Sequence, residues 1–305
     1  MFKVLSFFLL VICILFSSLF QTSKMPDHSV FYISGDNIQT TLNKDGSFKN
    51  SFILNLIENT KELKNRIQTG EYNLKNGDSL LKFLAKLFSH DVIIRKITFP
   101  EGYTVKKIIK KLNENKLLFG ELKSLPEEGT LMPNTYFYTF GDQKISIISK
   151  MKNEMKKTID KLKSKNNTAL NMNEIIILAS IIEKESGIIK ERDIISSVFH
   201  NRLKIKMRLQ SDPTVIYAIS DGYGELERNL LRSDLFFKSP YNTYRNAGLP
   251  PTPICCPGED ALIAAMNPRK TNYIYFVTTK DRTGHIFTDS YKQHLKNIKN
   301  IKSTR

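Results

Sequence analysis

The residue best suited to chemistry in this sequence is the glutamate at position 185. It lies in residues 173–189, the most apolar run outside the N-terminus, which is too short and too charged at one end to span a membrane. We therefore expect a buried helix. At about 100° per residue, the apolar residues of this helix point close to Glu185. One stripe at helical spacing contains Leu178, Ile181, Ile182, Glu185 and Ile189.

A carboxyl group that points into a hydrophobic face must stay protonated, find polar partners or line a cleft. Burial raises the pKa of a carboxyl group, which suits a general acid that works near neutral pH. The alternative is structural: Glu185 lies at the rim of the stripe and pairs with a nearby Lys or Arg. Glu183 is predicted on nearly the opposite side of the helix.

The N-terminal half is predicted to form short strand, turn and helix units between residues 31 and 130. Residues 31–35 are expected to form a strand followed by a turn, and a helix is expected to begin at residue 52. The first complete unit combines a strand at 71–74, a turn at 76–77, an N-cap at Asp78 and a helix over 80–88. The second combines a strand at 92–99, an N-cap at Thr104 and a helix with Val105, Ile108, Ile109 and Leu112 inward. These units predict a small α+β module that binds or positions a ligand.

The C-terminal half is predicted to place further helices around the Glu185 helix. They are expected at residues 145–163, 192–203, 259–266 and 291–301, and a hairpin is expected between strands at 272–279 and 284–288. Asp212 precedes Pro213, a pattern typical of a helix start with the carboxylate as N-cap. The alternative is that Asp212 is a second active-site acid. His285 lies on the hairpin and is interpreted as a hydrogen-bonded structural residue rather than a base.

The most loop-like part of the chain, residues 239–258, is rich in Pro, Gly and Asn. Loops this long inside a domain are usually functional. This loop offers Tyr241 and Tyr244 as stacking faces, and Asn242 and Thr243 as hydrogen-bonding groups. A sugar-binding cleft needs such flat faces and polar groups. The alternative is an ordered structural turn with buried tyrosines.

Composition limits the choice of partner and compartment. The 305-residue chain has 46 Lys+Arg, 30 Asp+Glu and a net charge of +16, which suits nucleic acid, anionic lipid or a carboxylate-bearing polymer. The lysines are spread through the chain, so charge alone decides little. Residues 4–20 are apolar after a single Lys3, and no Ala-x-Ala cleavage site follows. We expect residues 1–23 to be an uncleaved membrane anchor, the alternative being a cleaved signal peptide, with the polar remainder outside the cytoplasm.

The three cysteines do not predict a disulfide framework. Cys13 lies in the anchor, and a bridge between the neighbours Cys255 and Cys256 would strain the peptide between them. Cys, His and acidic residues show no metal-ligand spacing, so we predict no metal site and no cofactor.

Taken together, several motifs resemble the YceG-like family of endolytic murein transglycosylases. The motifs are LASIIEKESG (178–187), ERDIISSVFHNRL (191–203), MRLQSDPTVIY (207–217), SPYNTYRNAGLPPTPI (239–254), ALIAAMNP (261–268) and GHIFT (284–288). They stand in the family's order, and weaker similarity occurs at 69–80, 99–105 and 128–138. The resemblance implies an α+β fold with a single-pass anchor at 1–23, a LysM-like module at 24–130 and a catalytic domain at 131–305. Cys255 and Cys256 depart from the family's loop, which usually has small residues there.

The resemblance also implies the roles of individual residues. The catalytic glutamate of the family is the second Glu of its E-K-E motif, which falls on Glu185. Helix geometry selects the same residue independently. Positions that match the family around the substrate-binding cleft are Gln210, Asp212, Tyr241, Asn242, Thr243 and Tyr244.

The expected reaction is non-hydrolytic cleavage of the bond between N-acetylmuramic acid and N-acetylglucosamine in peptidoglycan glycan strands, which leaves 1,6-anhydro ends. The resemblance implies that this occurs at the outer side of the cytoplasmic membrane, with a penicillin-binding protein synthase as a partner. Two alternatives stay open: a glycoside hydrolase with Asp212 or Glu183 as second carboxylate, and a wall-binding scaffold without catalysis. Nucleic-acid binding fits poorly with the anchor, and the sequence has no recognisable basic-aromatic module.

Overall fold

The computed structural model describes residues 12–13, 16–17, 19–20, 22, 29–33 and 52–303. They form a mixed α+β structure of helices and small two-stranded sheets. The chain divides into two compact units. The first contains residues 1–97, 117–119 and 137–142, and the second contains residues 98–116, 120–136 and 143–305. Residues 98–116 and 120–130, which the sequence assigns to the N-terminal module, therefore group with the second unit.

The first unit contains an antiparallel sheet and short helices. Its strands β1 (Ser29–Ile33) and β2 (Gly70–Leu74) pair so that Val30 lies opposite Asn73. Its helices are α1 (Phe52–Asn59), α2 (Lys61–Lys64) and α3 (Leu80–Phe88). Buried residues of β2 and α3 form much of the core: Tyr72, Leu74, Leu80, Phe83, Leu84 and Leu87. The strand and the helix predicted between residues 71 and 88 are confirmed.

The N-cap of α3 is Ser79, so the predicted cap at Asp78 is wrong. The Ser79 hydroxyl accepts a hydrogen bond from the Lys82 N–H at 3.3 Å. The Asp78 carboxylate instead accepts from the Lys75 N–H at 3.0 Å and pairs with Lys82 Nζ at 2.6 Å. The carboxylate is thus used by the turn that precedes the helix, and the adjacent hydroxyl closes the helix end.

Two further short strands, β3 (Arg95–Thr98) and β4 (Thr135–Tyr138), pair with each other. Strand β3 is shorter than the strand predicted at 92–99. The reason lies at Ile93, whose N–H donates to the Glu71 carbonyl of β2 at 2.8 Å instead of extending β3.

The second unit contains the longer helices. They are α4 (Val105–Glu114), α5 (Lys144–Leu162), α6 (Met172–Glu185), α7 (Arg192–Lys204), α8 (Asp212–Ile219), α9 (Glu259–Met266) and α10 (Tyr291–Ser303), with 3₁₀ turns at Lys163–Lys165, Ile189–Glu191 and Arg232–Phe236. The helices predicted at 145–163, 192–203, 259–266 and 291–301 are confirmed, with small differences at their ends. The predicted cap at Thr104 is also confirmed, because its hydroxyl accepts from the Lys107 N–H at 3.4 Å.

Helix α6 lies at the centre of the second unit's core. A capping box closes its N-terminus: Asn171 Oδ1 accepts from the Glu174 N–H at 3.1 Å, and the Glu174 carboxylate accepts from the Asn171 N–H at 2.8 Å. The helix packs against α7, α8 and α9. Its buried apolar residues are Ile175, Leu178, Ala179, Ile181 and Ile182. Because each large aliphatic side chain contributes about 1.5–3 kcal/mol on burial, this face fixes the rotation of the helix about its axis.

Helix α6 ends at Glu185, so the predicted stripe stops one turn early. Ser186 adopts an extended conformation (φ −140°, ψ 122°), and its hydroxyl accepts from the Ile188 N–H at 2.9 Å. Ile189 is consequently 58% exposed, and its predicted place on the stripe is wrong. The inward positions of Leu178, Ile181 and Ile182 are confirmed.

A hairpin and the last helix complete the second unit. Strands β5 (Tyr275–Thr278) and β6 (His285–Thr288) pair antiparallel, with Tyr275 opposite Thr288. Helix α10 packs on both strands, and α7 packs against β5. The predicted hairpin is confirmed, although β5 begins later than residue 272.

None of the helices within the described residues combines the length and the hydropathy needed to cross a membrane. The predicted anchor, residues 1–23, lies largely outside the described residues, so it stays a prediction. The same is true of the predicted LysM-like character of residues 24–130.

Candidate active site

Glu185 lines a cavity of about 340 Å³ in the second unit. The walls come from the ends of α6 and α7, the start of α8, the loop after residue 239, β5 and α10. The lining residues are Glu185, Arg202, Gln210, Asp212, Tyr244, Tyr275, Phe276, Tyr291 and His294. Four residues singled out from the sequence, Glu185, Gln210, Asp212 and Tyr244, therefore lie around one space.

The surroundings of Glu185 favour its protonated form. Burial raises the pKa of Glu185 to about 7, and the charge of Asp212 adds to the rise. The Ser211 hydroxyl opposes it by donating to Glu185 Oε1 at 2.5 Å, and so does the charge of Arg202. The C-terminal end of a helix also disfavours a negative charge. Both protonation states of Glu185 are therefore accessible near neutral pH.

Ser211 is held by a cluster of buried hydroxyl groups. Its N–H donates to Thr243 Oγ1 at 3.0 Å, and its carbonyl accepts from the Thr214 hydroxyl at 2.7 Å. The hydroxyl oxygens of Thr214 and Thr243 lie 2.9 Å apart and share a hydrogen bond. Thr243 is buried and outside the cavity lining, so its described contacts position Ser211. Contact of Thr243 with a ligand stays a prediction.

Asp212 and Gln210 flank Ser211 in sequence. Ser211 is the N-cap position of α8 and Asp212 its first residue, so the predicted N-cap at Asp212 is wrong. The Asp212 carboxylate accepts instead from the Tyr244 hydroxyl at 2.5 Å. Gln210 has a φ of +49°, a left-handed conformation that a non-glycine residue adopts at a cost of about 1–3 kcal/mol. Its N–H donates to the Thr243 carbonyl at 3.2 Å, which holds this bend.

Asn242 orders the loop rather than lining the cavity. Its buried amide donates to the carbonyls of Leu235 and Phe237 at 3.0 and 2.8 Å. Its Oδ1 accepts from the Tyr244 N–H at 2.9 Å. The side chain thereby fixes the backbone that carries Tyr244, and a direct contact of Asn242 with a ligand stays a prediction.

Tyr241 also lies outside the lining of the Glu185 cavity. Its ring packs against Tyr217 with centroids 5.0 Å apart, and its hydroxyl is 2.8 Å from the Thr252 hydroxyl. It lines a separate cleft of about 380 Å³ instead. Its predicted stacking on a sugar is therefore untested.

Glu183 has partners that account for its charge. Arg192 Nη2 lies 2.6 Å from Glu183 Oε1, and the Gly258 N–H donates to Oε2 at 2.9 Å. Burial raises the pKa of Glu183, while Gly258 and Arg192 favour the carboxylate. The side chain is only 5% exposed and is absent from the cavity lining. A role for Glu183 as second carboxylate in this cavity therefore has no support from its position.

The structural role predicted for His285 is confirmed. Its Nδ1 lies 2.7 Å from Glu191 Oε2, and its N–H donates to Glu191 Oε1 at 3.1 Å. Both partners are outside the lining of the Glu185 cavity, so this pair joins β6 to the start of α7.

The neighbouring cysteines are both buried and free. Burial raises the pKa of each thiol well above its ordinary value, so neither is a reactive thiolate near neutral pH. The Cys255 thiol donates to the Ser180 carbonyl of α6 at 3.3 Å. Cys255 is thus held beside α6, and the Cys256 thiol lies 3.6 Å from Glu128 Oε1.

The sequence patterns do not single out Arg202, Ser211, Tyr275 or His294. The position of Arg202 could have indicated a functional residue. It follows Phe199 by three residues on the inward side of α7, where a charged side chain is costly unless it has a partner. Ser211 is indicated only weakly, by its position between the predicted site residues Gln210 and Asp212. No sequence pattern indicates Tyr275 or His294, since only the tertiary contacts of β5 and α10 bring them to the end of α6.

Known proteins are similar to this chain over most of its length. A Bacillus subtilis protein named endolytic murein transglycosylase is 33% identical over 262 residues, which are 75% of this chain and 71% of that protein. A Streptococcus pneumoniae protein of the same name, in two strains, is 29% identical over 318 residues. That alignment covers 87% of this chain but 56% of the relative, so the chain spans little more than half of its length.

A solved structure is also similar to this chain. The crystal structure of a YceG-like protein from Listeria monocytogenes is 29% identical in sequence, with a TM-score of 0.56. The superposition covers 90% of this chain and 98% of that one. The YceG-like family as a whole matches residues 33–300, which include every side chain around the Glu185 cavity. This chain belongs to the YceG-like family.

Proposed function

We propose that this protein is an endolytic peptidoglycan transglycosylase, a lyase in which Glu185 is the general acid and base. The observation that carries the proposal is the half-buried Glu185 carboxyl, bound by Ser211 on the wall of a cavity with aromatic and polar sides. Similarity to relatives named endolytic murein transglycosylases supports the substrate class. The bond cleaved would be that between N-acetylmuramic acid and N-acetylglucosamine, and cutting within strands would limit their length.

In the first step, protonated Glu185 gives its proton to the glycosidic oxygen. The bond from that oxygen to C1 of the muramic residue breaks, and the ring gains oxocarbenium character. A pKa of about 7 leaves much of the carboxyl protonated at neutral pH. The short hydrogen bond from Ser211 limits the rotamers of the acid, which keeps the proton close to its acceptor.

In the second step, the Glu185 carboxylate accepts the proton of the C6 hydroxyl on the same muramic residue. The freed oxygen attacks C1 and closes a 1,6-anhydro ring, so no water is consumed. An intramolecular nucleophile has a high effective concentration, so a single carboxyl group suffices. Ser211 and the charge of Arg202 stabilise the carboxylate between the two steps.

The remaining lining residues supply binding. We propose that Gln210 and the pair Tyr244–Asp212 bind the sugar beside Glu185, because all three line its cavity. Tyr244 offers a flat face for the ring, and Asp212 holds its hydroxyl at 2.5 Å. Asn242 and Thr243 would act through Tyr244 and Ser211.

One observation favours a second candidate, a glycoside hydrolase. Asp212 lies on the same cavity as Glu185, and two carboxyl groups on one cavity are what water activation requires. In that reaction Asp212 would act as a base on water, and the product would carry a reducing end. The chemistry of the product therefore separates the two candidates.

Changing Glu185 to Gln removes the transferable proton and keeps the shape of the side chain. Purified full-length protein is expected to release anhydro-muramic ends from peptidoglycan, and Glu185→Gln to lose at least about a thousandfold in rate, because one group supplies both proton transfers. Mass spectrometry of the products is the measurement. The matched control is Glu174→Gln, which removes a carboxylate from the other end of α6 but keeps a capping side chain.

Three other results of the product analysis would contradict the proposed mechanism. Reducing ends instead of anhydro ends would replace the lyase by the hydrolase and make Asp212→Asn the next variant. Cleavage that survives in Glu185→Gln would remove Glu185 from the mechanism. Bound but uncut glycan with every variant would leave a scaffold.

Removing the Ser211 hydroxyl is expected to shift the pH profile. Ser211→Ala takes away a hydrogen bond that favours the Glu185 carboxylate, so the pKa of Glu185 rises by about one unit. Activity needs the protonated acid first and falls as pH rises through this pKa, so the alkaline limb of kcat/KM should move to higher pH. Ser211→Thr keeps a hydroxyl and should keep the limb near its original place. An unmoved limb in Ser211→Ala would contradict this role of Ser211.

We propose that residues 1–23 anchor the protein in the cytoplasmic membrane, with the catalytic part on the outer side. The support is the apolar run 4–20 and the location of the proposed substrate outside the membrane. Protease added to intact spheroplasts should digest the part beyond residue 23, and full protection until lysis would refute the orientation. The partnership with a penicillin-binding protein synthase stays a prediction.

A further inference from the structure

We propose that Arg202 and His294 form a subsite for the lactyl substituent that distinguishes a muramic residue from a glucosamine residue. The inference rests on the proposed function and adds to it the residues that select the sugar beside Glu185. Both side chains line the same cavity of about 340 Å³ as Glu185. This volume lies at the low end of the range for ligand cavities, roughly 300–1,000 Å³.

Arg202 is a buried cation held rigidly in place. Its side chain is 6% exposed, and Nε and Nη1 donate to the carbonyls of Ile274 and Leu209 at 2.7 and 2.6 Å. These two bonds fix the plane of the guanidinium. They leave Nη2 with no protein acceptor among the residues that the structure describes, so one donor edge is available to a ligand.

The comparison with Arg192 shows what Arg202 lacks. Arg192 is equally buried, at 4% exposure, and it forms an ion pair of 2.6 Å with Glu183. Within residues 52–303, Arg202 has no such carboxylate partner, and the groups whose charges act on it are Tyr275, Glu185 and Tyr244, of which only Glu185 is a carboxyl group. Glu185 is protonated for much of the time near neutral pH. A buried cation without a stable counter-charge is costly, so a ligand with an anionic or strongly accepting oxygen is favoured here.

His294 completes this wall of the cavity. Its ring stacks on Tyr275 with centroids 5.0 Å apart and planes 21° apart, and the Arg202 guanidinium carbon lies 5.7 Å from the centroid of the Tyr275 ring. In the described part of the chain neither ring nitrogen of His294 has a hydrogen-bond partner, and Nδ1 is buried. Burial and the charge of Arg202 lower the pKa of His294, so the ring is neutral, and Nε2 is the nitrogen left to donate to or accept from a ligand, according to the tautomer.

The chemistry of the substrate indicates which group belongs here. The two sugars of peptidoglycan share the N-acetyl group, and only the muramic residue carries a lactyl ether at C3. That ether ends in a carboxylate, or in an amide when a stem peptide is attached. Both forms present an oxygen that the Arg202 donor edge can bind, and the amide N–H can donate to a neutral imidazole. The subsite would therefore place a muramic residue, whose C6 hydroxyl is the proposed nucleophile, next to Glu185.

The test measures ligand preference in the full-length chain carrying Glu185→Gln, which blocks turnover. Isothermal titration would use three glycans of matched length: muramic-containing without peptide, muramic-containing with stem peptides, and a chitooligosaccharide. Arg202→Lys and His294→Phe should each weaken binding of the two muramic glycans by about tenfold and change chitooligosaccharide binding by less than about twofold. His294→Phe keeps the stacking on Tyr275, and His294→Asn, which restores a polar group, should recover part of the affinity.

The outcomes separate the subsite from the proposed function. A larger effect of Arg202→Lys on the peptide-free glycan identifies the carboxylate, and equal effects on both muramic glycans identify the shared carbonyl oxygen. Either result supports the subsite. Equal losses for all three glycans, or unchanged affinities, would overturn the subsite while the lytic reaction could still stand on its products. If the Glu185→Gln parent binds no muramic glycan, the proposed function fails and the subsite fails with it.

Discussion

The constraint on which the site depends is the burial of one ionisable carboxyl group where an aliphatic helix ends. The packing around the end of α6 partly desolvates Glu185 and so raises the pKa of its carboxyl, and the end of the helix adds its own unfavourable potential for a negative charge. Ser211 and Arg202 then return part of the lost stabilisation to the carboxylate. This balance gives a group that can donate and accept a proton at one pH, which a reaction with acid and base steps requires.

Much of the framework could be predicted because local rules decide it. The spacing of Leu178, Ile181 and Ile182 fixed the buried face of α6, and the same geometry selected Glu185. The Thr104 cap and the hairpin of β5 and β6 also follow from local chemistry. The errors at Asp78 and Asp212 are of one kind. In each, the carboxylate has a better partner, Lys82 or Tyr244, and the adjacent serine takes the cap position.

The rest of the site depends on long-range contacts that no periodicity reveals. Tyr275 and His294 reach the end of α6 only because β5 and α10 fold back onto it. The sequence predicts that the loop at 239–258 binds a sugar, and in the structure the side chains of Asn242 and Thr243 form hydrogen bonds with neighbouring parts of the protein. Asn242 orders the segment that presents Tyr244, and Thr243 positions Ser211 in the neighbouring segment. Sequence patterns located the loop correctly and could not say which side chains face the cavity, since that depends on how the loop packs.

The measurement that bears most directly on this account is the pKa of Glu185 itself. Nuclear magnetic resonance of ¹³C-labelled glutamate carboxyl groups in the full-length protein would record it, with Glu185→Gln identifying the signal by its loss. Assignment by difference is needed because burial also raises the pKa of Glu128 to about 7. We expect Glu185 to titrate near pH 7. A midpoint near 4.5, the ordinary value for a glutamate, would mean that the carboxyl is solvated and would contradict its role as the general acid.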